Sequence, residues 1–209
     1  MKILKLALLQ KPNRVVITGD LIDKLAWLPQ VCERLTTFAK QIPDGVDFIL
    51  GNHEYHHDVN KVLDSLKRNT PMNILVNSNI QIMGGKQPVY IAGVAYDNDR
   101  EKEKREAMID KALSGIPDYA FVILLAHHPE FFEESIERKI PLTLSGHTHG
   151  GQIVFMGMPL VPTGTPYTKG RYVEEQSVCY VNNGTGHWFP IRINCPREIT
   201  VITFFDGVA

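Results

Sequence analysis

Asp20, Asn52, His53, His127, His147 and His149 are side chains that could bind a divalent cation or move a proton near neutral pH, and each follows a short apolar run and a small turn residue. Val15-Val16-Ile17 leads into Thr18-Gly19-Asp20, and Phe48-Ile49-Leu50 into Gly51-Asn52-His53-Glu54. Residues 121–125 lead into Ala126-His127-His128, and Leu142-Thr143-Leu144 into Ser145-Gly146-His147-Thr148-His149. One carboxylate, one amide oxygen and several imidazoles make a mixed oxygen and nitrogen donor set. Such a set suits Mn, Fe or Zn better than Ca, and without Cys it is not a structural zinc site. A carboxylate can bridge two metals, and a metal pair serves in-line attack at phosphorus by polarising phosphoryl oxygens and activating water. Singly, each of the six residues reads as a capping or loop polar group. Their joint placement after apolar runs gives the set its chemical meaning.

Runs this short and uniformly apolar fit strands buried on both faces of an α/β sheet. Ligands of such sheets gather beyond the carboxyl ends of the strands, so the fold can bring together residues spread over about 130 positions. Helical spacing links Leu28, Val31, Leu35, Phe38 and Ile42, with Asp23 upstream as a cap and Pro29 in the first turn. A second helix follows Asp58 through Val59, Val62, Leu63 and Leu66. A third spans 99–113; its opening run DREKEKRE alternates in sign, the mark of a solvated face rather than a nucleic-acid surface. Residues 79–83 and 89–94 around Gly84-Gly85 read as a β-hairpin, and 172–173, 178–181 and 199–204 as further strands. The opening MKILKLALLQ is interrupted by Lys5 and lacks a small-residue cleavage site before Pro12, so it reads as the end of an amphipathic helix.

With 209 residues, 44% hydrophobic and 22% charged, the chain can bury a core and is neither disordered nor fibrous. Its net charge of −1 provides no polybasic field, so no nucleic-acid partner is expected and an anionic substrate must be held locally. The apolar stretch 121–126 is far shorter than the roughly 20 residues a membrane span needs. Cys32, Cys179 and Cys195 form no CxxC pair and read as buried thiols of a reducing compartment.

GD at 19–20, GNHE at 51–54, AHHP at 126–129 and GHTHGGQI at 146–153 resemble, in order, the motifs of the calcineurin-like metallophosphoesterases. The likeness covers nearly the whole chain. Its tail NNGTGHWFPIRINCPREITVITF is similar to the end of a bacterial branch that includes membrane-associated phosphodiesterases and UDP-2,3-diacylglucosamine pyrophosphohydrolases of lipid A biosynthesis. The resemblance implies an α/β/β/α four-layer sandwich holding two divalent ions (Mn, Fe or Zn). Asp20 would bridge them, Asn52, His127 and His147 would complete the second ion's shell, and His149 would serve the first. His53 would act as general acid while a metal-activated hydroxide attacks.

The family opens with a strand carrying Asp-x-His, and no Asp or His precedes Asp20 here. The expectation is therefore one metallophosphoesterase domain over 1–209 with its first strand missing. The first ion would keep only Asp20 and His149, fewer than the three protein ligands usual for catalytic zinc, and hydrolysis would be impaired. Truncation is the leading explanation, with a degenerate one-metal member or completion by another chain as rivals. A non-catalytic scaffold of the same fold is the alternative to an enzyme.

Around this set, His128 suits either substrate contact or support of a ligand. Arg192 suits a bidentate phosphate grip, though less well than the motif residues suit their roles. His56 and His57 read as surface loop. His187, Trp188 and Phe189 could stack on substrate, and Met156, Met158, Leu160 and Val161 form an apolar loop that an acyl chain or plain packing would explain. The expected partner is a small phosphorylated or lipid-linked phosphate substrate. The expected location is the cytoplasm, with peripheral attachment to the inner face of the membrane, and the oligomeric state is left open.

Overall fold

Alternate residues of the buried runs face opposite layers, because successive side chains of a strand point to opposite faces. In the computed structural model, which describes residues 2–83, 86–95, 101–187 and 190–205, this builds two stacked sheets between two layers of helices. The elements in chain order are α1 (Lys2–Leu9), β1 (Val15–Ile17), α2 (Leu28–Ala39), β2 (Val46–Ile49), α3 (Asn52–Tyr55), α4 (Val59–Asn69), β3 (Asn73–Leu75), β4 (Ser78–Met83) and β5 (Val89–Gly93). They continue with α5 (Lys102–Leu113), β6 (Phe121–Leu125), α6 (Phe131–Glu137), β7 (Leu142–Ser145), β8 (Val154–Phe155), β9 (Met158–Pro159), β10 (Gly170–Glu174) and β11 (Ser177–Val181).

The first sheet is parallel, in order β1-β2-β3, and the second runs β10-β11-β7-β6-β5-β4, parallel at its centre with antiparallel strands at both edges. Phe48 and Leu50 pack outward with Leu35 and Phe38 of α2 and Val62 and Leu66 of α4, whereas Ile49 faces inward. In β6, Val122 and Leu124 join Ile109 and Ala112 of α5, and Ile123 and Leu125 turn toward Ile49 and Leu75. This is the α/β/β/α sandwich. Every catalytic-type motif leaves the carboxyl end of one of four parallel strands, β1, β2, β6 and β7.

Helix α1 packs Leu4, Ala7 and Leu8 on the outer core, as the amphipathic reading requires. Asp58 caps α4 by accepting from the Lys61 amide at 3.2 Å, and the hairpin of β4 and β5 forms around a turn that lies outside the described residues, as does Asp99. Three expectations change. Asp23 does not cap α2, which is entered through a short 3-10 turn at Leu25–Trp27 with no side-chain cap. Residues 199–204 form no strand: Val201 and Phe204 are 59% and 57% exposed, because β propensity reflects fit to a pleated, half-buried surface and this run meets no ladder. Helix α6 was not expected, since its seven residues are too few to display a helical period. Among the described residues strand β1 lies at an edge of its sheet and pairs only with β2.

Candidate metal centre

Asp20, His147 and His149 share a backbone feature. Their φ angles are 55°, 66° and 51°, the left-handed region that costs an L-residue about 1–2 kcal/mol. Gly19 at φ 98° precedes Asp20, and a Cβ there would lie 2.5 Å from His127 Nδ1 and 2.7 Å from the Gly51 backbone. The chain thus leaves each strand by an abrupt reversal, and glycine allows the β1 and β2 loops to touch. Gly51 is equally constrained, since a Cβ on it would collide with the Asp20 carboxylate.

These reversals bring lone-pair atoms together. His127, 2% exposed at the floor, donates from Nδ1 to the Thr18 carbonyl at 2.6 Å, which turns Nε2 inward; there it donates to the Asp20 carboxylate when the ring is charged and offers a lone pair when it is neutral. Nε2 then lies 3.2 Å from Asp20 Oδ2, 3.0 Å from Asn52 Oδ1 and 3.2 Å from His147 Nδ1. His147 Nδ1 is 2.9 Å from the same Asn52 oxygen. A carboxylate oxygen, an amide oxygen and two imidazole nitrogens converging at this distance need protons or a cation between them. As a donor set they fit one divalent transition metal. Asp20, His127 and His147 offer ligand atoms within 4.8 Å of one another.

His149 lines the same pocket but is held differently. Its Nδ1 accepts from Arg192 Nη2 at 3.0 Å, so in the neutral ring Nε2 carries the hydrogen and offers no lone pair. Arg192 is also engaged by the Asn183 carbonyl at 2.8 Å and the Gly186 carbonyl at 2.7 Å, and reaches the carbonyls of His149 and Cys195. Its guanidinium is spent on bracing the loop behind His149 and is not aimed at a phosphate. His128 stacks on His147 with ring centroids 3.8 Å apart and sits 3.5 Å from Glu130. His56 is exposed, and His57 bonds to the Asp23 carbonyl at 3.0 Å. His187 is exposed, and Trp188 and Phe189 lie outside the described residues.

Two acidic residues do work that the sequence reading did not assign. Asp23 Oδ1 lies 3.1 Å from His53 Nδ1, so the ring is turned with Nε2 toward the site, 3.9 Å from Asp20 Oδ2. Glu54, fully buried, accepts four backbone amides: Gly51 at 2.7 Å and Asp20 at 3.0 Å on one oxygen, Leu21 at 2.7 Å and Ile22 at 2.9 Å on the other. It locks the loop after β1 to the loop after β2. The GNHE spacing could have suggested this, because a Glu three residues after a turn residue is the pattern of a capping box.

The pocket is an open cleft of about 220 Å³ lined by Asp20, Asn52, His53, His147, His149 and, on its rim, Val161, Pro162 and Thr163. That volume takes a phosphoryl group but leaves most of a larger substrate outside. Burial works to raise the Asp20 pKa, but the hydrogen bond and charge of His127, with the His53 amide, outweigh it and hold the carboxyl well below the usual carboxylate range. His127 is raised: burial opposes protonation, and the Asp20 hydrogen bond and charge overcome it. Burial first, then the charges of His128 and His127, push His147 down to about 3; burial and Arg192 push His149 down to about 4.

Metal-free stability should therefore fall on acidification. Unfolding releases His147 and His149 to titrate near pH 6.5, so below that value the unfolded chain binds protons that the folded chain refuses. Asp20 acts in the same direction further down: its contribution is present above the ordinary carboxylate value and lost as pH falls through the lowered one. His127 acts oppositely, its contribution being full below about pH 6.5 and lost as pH rises through its raised value. From pH 7 to pH 5 the metal-free chain should lose about 2 kcal/mol, mostly through the better buried His147. Urea denaturation reads this as a lower midpoint; an unchanged or higher midpoint at pH 5 would mean that His147 is charged in the fold.

The sequence profile of the calcineurin-like phosphoesterases matches residues 1–151. An uncharacterized metallophosphoesterase of Campylobacter jejuni is 37% identical over 202 residues, covering 93% of this chain and 51% of that protein. Uncharacterized metallophosphoesterases of Aquifex aeolicus and Bacillus subtilis are 30% and 32% identical, covering 93% and 92% of this chain and 73% and 68% of theirs. The chain thus spans about half the length of the Campylobacter relative. Among the described residues no helix is long and apolar enough to cross a membrane. With the ordered strand-end motifs and a profile match over 151 residues, the chain belongs to the calcineurin-like phosphoesterase family.

Proposed function

We propose that this domain hydrolyses a phosphodiester or pyrophosphate, lipid-linked as in UDP-2,3-diacylglucosamine, and that this polypeptide alone is slow because its first cation position is short of ligands. The observation that carries the proposal is the convergence of Asp20, Asn52, His127 and His147 on one point with His53 beside it. A divalent ion held there supplies Lewis acidity toward a phosphoryl oxygen and lowers the pKa of water. His53, oriented by Asp23, presents Nε2 to the leaving-group oxygen and gives up a proton as the P–O bond breaks. Thr18 and His128 keep two of the imidazoles in ligating orientation. Among the described residues no strand pairs with the outer edge of β1, next to the Asp20 loop, which supports a first cation position that is short of ligands.

The test is turnover of bis-p-nitrophenyl phosphate by the 209-residue chain with Mn or Zn. Slow, metal-dependent turnover is expected, reduced about 100-fold by His53→Ala. Asp23→Asn should lower kcat by about tenfold with metal content unchanged, as for a residue that orients the acid. Turnover indifferent to His53 would remove the general-acid assignment. Bound metal with no turnover, even after the ligand-bearing strand is supplied, would favour a scaffold.

A further inference from the structure

Five residues after His149, the chain begins a small hairpin of β8 and β9 whose exposed surface is almost entirely apolar. Phe155, Met156, Met158 and Leu160 are 60%, 83%, 66% and 62% exposed, and Ile191 and Ile193 beside them 51% and 47%. The segment carrying Ile193 is tied to the hairpin, since the Val154 amide donates to the Ile193 carbonyl at 2.9 Å and Asn194 donates to the Val154 carbonyl at 3.0 Å. Phe155 pairs with Met158, leaving a two-residue turn of Met156 and Gly157, both at positive φ, 48° and 83°. Such a turn favours Asn, Asp or Gly at its first position. Here that strained and most exposed place holds methionine, a flexible hydrophobe, where local conformational preference argues against it.

Charge beside the hairpin is positive: Arg197 shares a small surface hollow with Asn194, which bonds to the hairpin, and residues 138–173, which carry both hairpin strands, contain no Asp or Glu. A projecting apolar tip beside a cation is complementary to a bilayer with anionic headgroups. The apolar side chains enter the acyl boundary and the cation meets phosphate.

We propose that the β8–β9 hairpin, with Ile191 and Ile193, is a docking surface for an anionic phospholipid bilayer. The hairpin runs directly into Val161, Pro162 and Thr163 on the rim of the metal pocket, so docking holds the pocket mouth at the level of the headgroups. This surface is independent of whether the metal centre turns over a substrate, and its test does not read activity.

The experiment is co-sedimentation of the 209-residue chain with phosphatidylcholine vesicles, with and without phosphatidylglycerol, at low and high salt. Binding is expected with phosphatidylglycerol and should weaken with salt. The double substitution Phe155→Ser with Met156→Asn should lower the partition coefficient by about tenfold or more. The turn and fold should survive it, because asparagine suits the left-handed turn position; circular dichroism and metal content check this. A second variant, Arg197→Gln, should weaken binding without touching the hairpin. Three results would overturn the proposal: equal binding to both vesicle types, binding indifferent to the hairpin substitutions, or a hairpin effect confined to oligomeric state in sedimentation velocity.

Discussion

Asp20→Ala is expected to lower the affinity of the chain for Mn or Zn by at least about 100-fold, as read by titration calorimetry at pH 7. Asp20 is the one carboxylate at the point where the lone pairs meet, and its charge is what His127 and the His53 amide already organise around. Without it, three neutral donors remain, and the attraction that offsets the dehydration of a divalent ion is lost. Alanine fits the left-handed backbone less well than aspartate and forfeits the bonds to His127 and the His53 amide, so the apo fold should lose stability as well. Asp20→Asn, which suits the left-handed position and keeps an acceptor oxygen, separates a metal effect from a folding effect: affinity falls while the denaturation midpoint stays closer to that of the parent. An affinity within about threefold of the parent would mean that the metal sits elsewhere.

Glu54→Ala should act through the fold. Four amides, of Gly51, Asp20, Leu21 and Ile22, end on this one buried carboxylate, and truncation strands donors where water does not reach. Each unsatisfied donor costs about 1–3 kcal/mol, and losing one side of a buried charged network typically costs about 3–5 kcal/mol in all. Against a total stability of about 5–15 kcal/mol, that is enough to unfold a substantial fraction of the chain. Glu54→Gln retains one acceptor oxygen and turns an amine toward two of the donors, so it should lie between parent and alanine variant. A loss below about 1 kcal/mol for Glu54→Ala would show that the two loops hold each other without it.

Much of this site could be read from the residues alone, for a physical reason. A strand buried on both faces is uniformly apolar, so the first polar group after it marks the sheet's carboxyl end. That draws attention to Asp20, Asn52, His127, His147 and His149, which the structure places in or against one cleft. What could not be read is which hydrogen-bond partner each polar side chain chooses. Asp23 precedes a helix, as caps do, yet it reaches across 30 positions to His53. Arg192 has the geometry for a phosphate, but carbonyls of its own loop and His149 occupy it first. Residues 199–204 have the composition of a strand, and pairing depends on a neighbour that composition does not reveal. Helix α6 is too short for periodicity to signal it.

The central claim is that Asp20, Asn52, His127 and His147 form one cation position while His149 stays on Arg192, and metal stoichiometry tests it most directly. The 209-residue chain would be equilibrated with Mn or Zn, freed of loose ions, and measured by elemental analysis beside Asp20→Ala. The expected result is a single firmly held ion per chain, absent from the variant. No retained ion in the parent, or two firmly held ions per chain, would contradict it.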